Sequence, residues 1–275
     1  MPTVPTRAGR LAFDELGAGP GLLLLPAGAH DRHDWDGVRP ALAERFRTIA
    51  LDWPGHGDSP MPPAPWRASA ATFADAVEDV VDALNLAPVA LVGNSVGGFA
   101  AARLAIRRPQ AVSALVLVDS GGFAGPTLRS RAFCAAMGRP WFLRAIYPWF
   151  AARYLHARDG AALRIRDAAI DAARRPGTTE ILNGLWRSFS GPEHDLRAGA
   201  GGISAPTLLV WGVHDPVVPP RLGRRAAATI PGARLIVLDA GHVPFADRPE
   251  AFLATVLPFL EPTRRRAPHR SGHDG

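Results

Sequence analysis

The stretch Gly93-Asn94-Ser95-Val96-Gly97-Gly98 has the form G-x-S-x-G. It follows the apolar run Pro88–Gly93 and opens a helix-like stretch, Gly97–Arg108, stopped by Pro109. Strand, sharp turn, helix is the context in which a serine is held as a nucleophile. Such a turn admits only small neighbours, which gives Gly93 and Gly97 a steric job. It lifts the Ser95 hydroxyl above the edge of a sheet and aims the next amide, that of Val96, at the same spot. Taken alone, the stretch is also compatible with a glycine-rich connection of no chemical consequence. The rest of the chain has to decide.

Working outward, six short apolar runs read as buried parallel strands because they are continuous, not alternating. They are Gly21–Pro26, Thr48–Trp53, Pro88–Gly93, Ala114–Asp119, Thr207–Gly212 and Arg234–Asp239. Arg10–Leu16 reads as an earlier antiparallel strand. Helical patterns lie between them. Phe73, Val77, Val80, Val81 and Leu84 share one face, with Thr72 and Asp75 resembling a capping box. Arg221–Ile230 and Glu250–Leu260 read as two further helices. Alternating strands and helices imply an α/β fold: a mostly parallel, doubly wound sheet with helices on both faces. The alternation breaks at Gly121 and resumes at Thr207. The expected organisation is a core of residues 1–121 and 201–261, with a helical lid, 122–200, over the carboxyl ends of the strands. A basic tail, 262–275, is expected to be disordered.

A serine hydroxyl is a weak nucleophile and needs a base. His242 lies just after the last predicted strand, at the Ser95 end of the sheet. The base needs an orienting carboxylate. Asp215, in Trp211-Gly212-Val213-His214-Asp215-Pro216, follows the preceding strand. A turn-capping aspartate before proline is its plainer reading. Asp119, at the end of the strand before the lid, is the rival acid.

The order Ser95, Asp215, His242 resembles that of the α/β-hydrolase fold. The chain is similar to the lid-bearing serine hydrolases of that family: esterases, lactonases, carbon–carbon bond hydrolases and cofactor-free haloperoxidases. The resemblance runs from about residue 10 to 261. Besides the elbow it rests on Trp211-Gly212-x-x-Asp215-x-x-x-Pro219, on Gly241-His242, and on Asp52-Trp53-Pro54-Gly55-His56-Gly57-Asp58-Ser59, a turn whose family role is mainly structural. It implies a catalytic triad of these three residues and an oxyanion hole formed by the amides of Val96 and Gly28. Here the chain departs from its relatives, which commonly carry His-Gly after the first parallel strand; Pro26-Ala27-Gly28 stands instead, and Ala27 is the alternative donor. The epoxide hydrolases and haloalkane dehalogenases of the fold use an aspartate nucleophile, against which Ser95 argues.

Composition narrows the partners. The chain has 275 residues and a formal charge of +6, and all its basic residues are arginine. The excess is local: residues 122–200 carry 12 Arg and 6 acids, the tail 4 Arg and 1 acid, and the remainder is slightly acidic. No basic–aromatic interleaving or binding motif supports a nucleic-acid partner. No apolar run approaches the ~18 residues of a membrane span, and no leader-like stretch opens the chain. A soluble cytoplasmic protein acting on a small molecule is expected. His30 and His33 form H-x-x-H, a weak metal signal; neither a metal nor a nucleotide cofactor is expected.

The substrate reading is coarser. Aromatic residues crowd the lid, so an apolar or aromatic substrate part is expected. Trp186, Arg187, Asn94 and Val243 are the candidate contacts. The leading expectation is a serine hydrolase cleaving an ester, thioester or lactone of a small, largely apolar acid through an acyl-enzyme. The alternatives are carbon–carbon hydrolysis of a diketone acid, motivated by Asn94 and the arginine-rich lid, and a low-turnover ligand-binding homologue. A positive lid that draws in anionic substrates is set against a plainly solvated arginine face.

Overall fold

A computed structural model of the chain describes residues 1–156 and 160–266. Among these residues, eight strands form one sheet: β1 (Thr3–Thr6), β2 (Gly9–Leu16), β3 (Gly21–Leu25), β4 (Arg47–Leu51), β5 (Val89–Asn94), β6 (Val112–Val118), β7 (Thr207–Gly212) and β8 (Arg234–Leu238). Their spatial order is β1-β2-β4-β3-β5-β6-β7-β8. Pairings from β4 to β8 are parallel, and β2 joins antiparallel to both β1 and β4. The continuous apolar runs explain this: Leu22–Leu25, Val89–Val92 and Ala114–Val118 are all buried on both faces.

Among the described residues, ten α-helices surround the sheet. They are α1 (Arg39–Ala43), α2 (Ala70–Ala83), α3 (Val96–Arg107), α4 (Leu128–Met137), α5 (Pro140–Tyr154), α6 (Gly160–Arg174), α7 (Pro176–Ser188), α8 (Pro220–Thr229), α9 (Pro244–Asp247) and α10 (Pro249–Arg266). Helix α2 packs on α3, and α1 on α10. Helices α4 to α7 occupy the interval between β6 and β7 that lacks strand signal in the sequence. None of the helices in the described residues is long and apolar enough to cross a membrane.

Several local expectations need correction. The capping box of α2 sits three residues earlier than read: Ser69 accepts from the Thr72 amide, and Thr72 bonds back to the Ser69 amide. Serine, with its short hydroxyl, is a better N-cap than the interior Thr72. β8 is not buried on both faces; it is the sheet edge, and Val237 is 42% exposed. The tail does not begin at 262, because α10 continues through Pro258 and Pro262 to Arg266. Each of these prolines costs the helix one amide donor, and α10 runs on past both. The remainder of the expected tail lies outside the described residues.

The D-x-x-G-x-G-x-S turn ties the early strands together. Asp52 accepts from the amides of Arg32 and Asp58, at 2.9 Å each, and pairs with the buried Arg32 guanidinium. Ser59 Oγ donates to Asp52 O at 2.8 Å and accepts from Ala12 N at 2.7 Å. This fixes the loop after β3 against β2 and β4.

Candidate active site

Five neighbouring parallel strands, β3, β5, β6, β7 and β8, deliver the candidate residues from their carboxyl ends. After β5 comes Ser95, at φ 55° and ψ −113°, a conformation a non-glycine residue seldom adopts. The strain is held by main-chain bonds on both sides: Ser95 N donates to Val118 O at 3.0 Å, and Gly121 N donates to Ser95 O at 3.1 Å. A Cβ on Gly93 would run into Gly97, and one on Gly97 into the carbonyls of Leu25 and Pro26. Those two glycines let β3, β5 and α3 approach closely enough to make the turn. Val96 begins α3, so its amide is among those a helix leaves without an intrahelical partner.

After β7, Asp215 is buried and fully occupied. Its Oδ1 accepts from the amides of Val217 and Val218 at 2.7 and 3.1 Å, and its Oδ2 lies 2.7 Å from His242 Nδ1. Burial alone would raise this carboxyl. The His242 ring, with its charge and hydrogen bond, and contact with Asp119 more than offset burial and hold it below the usual range. His242 is 4% exposed, and its amide donates to Tyr154 O at 2.7 Å. Gly241 is required beside it: a Cβ there would strike the Tyr154 carbonyl.

Asp119, the rival acid, does not take the imidazole. It is fully buried, and its Oδ1 accepts from Gly212 N at 3.0 Å. Burial, then the charge of Asp215, push its carboxyl well above the usual range, so it stays protonated and bonds to Asp215. Asp119, Asp215 and His242 offer three ligand-type atoms within 4.8 Å of one another. Each is already engaged in a hydrogen-bonded row, and a protonated Asp119 is a poor metal donor.

A cavity of about 370 Å³ opens over these strand ends. Ser95, Val96, His242, Ala27 and Gly28 line it on the sheet side; Tyr147, Tyr154, Leu185 and Trp186 line it from the inserted helices. Among the described residues, the lining contains no arginine, aspartate or glutamate. Its polar members are histidines, serines, tyrosines and Cys134. Gly28 faces α7, where a Cβ would sit 3.5 Å from Leu185.

Three expected contacts lie elsewhere. Asn94 is buried beneath the site, not in the cavity: its Nδ2 donates to Val118 O at 3.1 Å and to His242 O at 3.0 Å. Alternation along β5 puts Asn94 and Ser95 on opposite sides. Arg187 is turned away and donates to Gly138 O at 2.8 Å, its stem lying against that glycine. Val243 is fully buried and caps α9. Trp186 does line the cavity. His30 and His33 diverge: His33 is exposed beside Asp36, whereas His30 is buried beside Asp34 and lines the cavity. The sequence offers His30 only as half of a weak metal motif with His33, and Asp34 is missed there. The four-residue spacing of His30 and Asp34 was the available signal.

The profile of the alpha/beta hydrolase fold matches residues 20–249. The chain belongs to the alpha/beta hydrolase family. A pimeloyl-[acyl-carrier protein] methyl ester esterase of Neisseria meningitidis is 31% identical over 245 residues, 84% of this chain and 90% of that protein. An uncharacterized protein of Mycobacterium tuberculosis is 31% identical, over 92% of this chain and 79% of its own length. Among solved structures, an enol-lactonase from Burkholderia xenovorans superposes with TM-score 0.83 at 26% identity, over 94% of this hydrolase and all of that chain. A hydrolase from Pseudomonas aeruginosa superposes at 0.81 with 31% identity, over 94% and 97%.

Proposed function

We propose that this hydrolase is a serine esterase or lactonase that cleaves a neutral, largely apolar ester, thioester or lactone through an acyl-enzyme. One observation carries the reading. Ser95, held in a strained turn, lines the same cavity as His242, whose Nδ1 is held by Asp215 at 2.7 Å.

The chemistry follows from these placements. With Nδ1–H given to Asp215, the free Nε2 of His242 accepts the Ser95 proton as Oγ attacks the substrate carbonyl. The Val96 amide, with that of Gly28 or its neighbour Ala27, receives the negative oxygen. One such donor contributes roughly 10²–10³ in rate. The imidazolium returns its proton to the departing alcohol or thiol. Water then attacks the acyl-enzyme by the same steps in reverse and frees Ser95. Asp215 stabilises the imidazolium throughout. The inserted helices serve as the lid that gives the cavity its apolar wall.

The uncharged lining favours this over carbon–carbon hydrolysis of a diketone acid, since neither Asn94 nor Arg187 reaches the cavity to hold a carboxylate. The names of the similar proteins, a methyl ester esterase and an enol-lactonase, fall in the same class of bond. The test is a panel of nitrophenyl esters and lactones of graded chain length with wild type and Ser95→Ala. The variant should lose about 10⁶ in kcat, the order known from a comparable triad, and a fluorophosphonate should label Ser95 in the folded protein. Full esterase activity in Ser95→Ala would overturn the reading.

A further inference from the structure

A second buried histidine–aspartate pair faces the same cavity, and the mechanism above does not use it. His30 Nδ1 lies 2.5 Å from Asp34 Oδ2, and His30 Nε2 lies 2.8 Å from the Tyr154 hydroxyl. The Tyr154 hydroxyl in turn lies 3.1 Å from that of Tyr147. Each of the four residues is at most 6% exposed, and His30, Tyr154 and Tyr147 all line the cavity. The bonds run from side chain to side chain. Two of the groups come from the loop after β3, which also carries Gly28. The other two come from α5, seven residues apart and so on one face.

Burying such a pair is costly, and apolar residues of similar volume would hold the insert to the core at least as well. The row of bonds ends at Tyr147, a residue of the cavity wall. We infer that Asp34, His30, Tyr154 and Tyr147 form a polar subsite in which the Tyr147 hydroxyl binds a second, neutral oxygen of the substrate, away from the bond that is cleaved. The substrate class is thereby an ester or lactone whose apolar part carries a hydroxyl or keto group.

The proton count explains why the group bound is neutral. An imidazolium beside an aspartate and an imidazole beside an aspartic acid both carry no net charge. Either way, the pair offers an anionic group no net counter-charge, and the described lining contains no arginine. Burial lowers the affinity of His30 for a proton, but the Asp34 carboxylate more than restores it. An imidazolium donates from Nε2 to Tyr154, Tyr154 donates to Tyr147, and Tyr147 is left to donate outward to a carbonyl or hydroxyl oxygen. Burial also keeps both phenols protonated.

This rests on the hydrolase reading, and the experiment separates the two. Nitrophenyl hexanoate is compared with its hydroxy and keto derivatives at successive carbons, in wild type, Tyr147→Phe and Asp34→Asn. Wild type should prefer one derivative over the plain ester by about tenfold in kcat/KM, the size of one neutral hydrogen bond. Tyr147→Phe, which keeps the ring, should bring that ratio near one. Asp34→Asn, remote from the bound oxygen, should lower it in the same direction. No preferred derivative, or a preference that survives Tyr147→Phe, overturns the subsite. The matching primary amides, titrated calorimetrically into the same proteins, give the same ratio without turnover. If no ester is cleaved yet the amide preference is present and lost in Tyr147→Phe, the hydrolase reading fails and the subsite stands.

Discussion

Asp119 lies against the carboxylate of Asp215 and accepts the Gly212 amide, so the residue that holds His242 is itself held from behind. Two carboxyl groups in a buried site cannot both ionise cheaply. The outer one keeps its proton and lends it to the inner one.

A raised carboxyl pKa has a definite sign. The unfolded chain ionises this group near pH 4, whereas the folded chain resists ionisation. The contribution is therefore intact below that pH and is lost as pH rises toward the folded value. Asp119→Asn keeps an acceptor for Gly212 and a donor for Asp215 but does not titrate. Its urea midpoint should gain on that of wild type as pH rises above about 4. A constant gap would mean that Asp119 is already ionised.

Asn94 is a positioning residue, since its amide joins the carbonyls of Val118 and His242. Asn94→Ala strands the buried His242 carbonyl, at a cost of about 1–3 kcal/mol, leaves Val118 O with the Ser95 amide alone, and frees the main chain of His242. The variant should unfold at lower denaturant and lose kcat by about tenfold or more, with KM little changed. An altered KM with normal kcat would return Asn94 to the substrate side.

Arg187 should be indifferent to substrate charge, because it bonds to Gly138 and not into the cavity. Arg187→Ala should change KM for carboxylate-bearing and neutral esters alike, within about twofold as for other exposed positions. A selective rise for the charged esters would revive carbon–carbon hydrolysis.

Acid should unfold the protein through two histidines. Burial lowers His56 and His194 to about 4. The unfolded chain takes up these protons near pH 6.5, so stability is lost as pH falls from there to about 4, on the order of 3 kcal/mol for each. His194 stacks on Phe99 and Phe189. His194→Phe should keep the stacking and flatten the acid limb of a urea-midpoint profile; an unchanged slope would place the titration elsewhere.

Much of this was legible in the residues because the strands are buried and announce themselves as apolar runs. Ser95, Asp215 and His242 follow such runs, and sheet topology alone brings them to one edge. Asp119 was also visible at a strand end, but its position behind Asp215 depends on how β6 and β7 register. Asn94 and Arg187 were misplaced because an apolar cavity and a resemblance do not reveal which way a side chain turns. His30 was read as half of a metal motif with His33, and the structure pairs it instead with Asp34 and with Tyr154, more than a hundred residues away. No local pattern encodes the pairing with Tyr154; it exists only once α5 lies across the loop after β3.

The bond from the His242 amide to the Tyr154 carbonyl joins the proposed general base to the last turn of α5. An outward swing of α5 on that side has to break this bond or carry the His242 main chain with it, so the inserted helices and the imidazole share one backbone anchor.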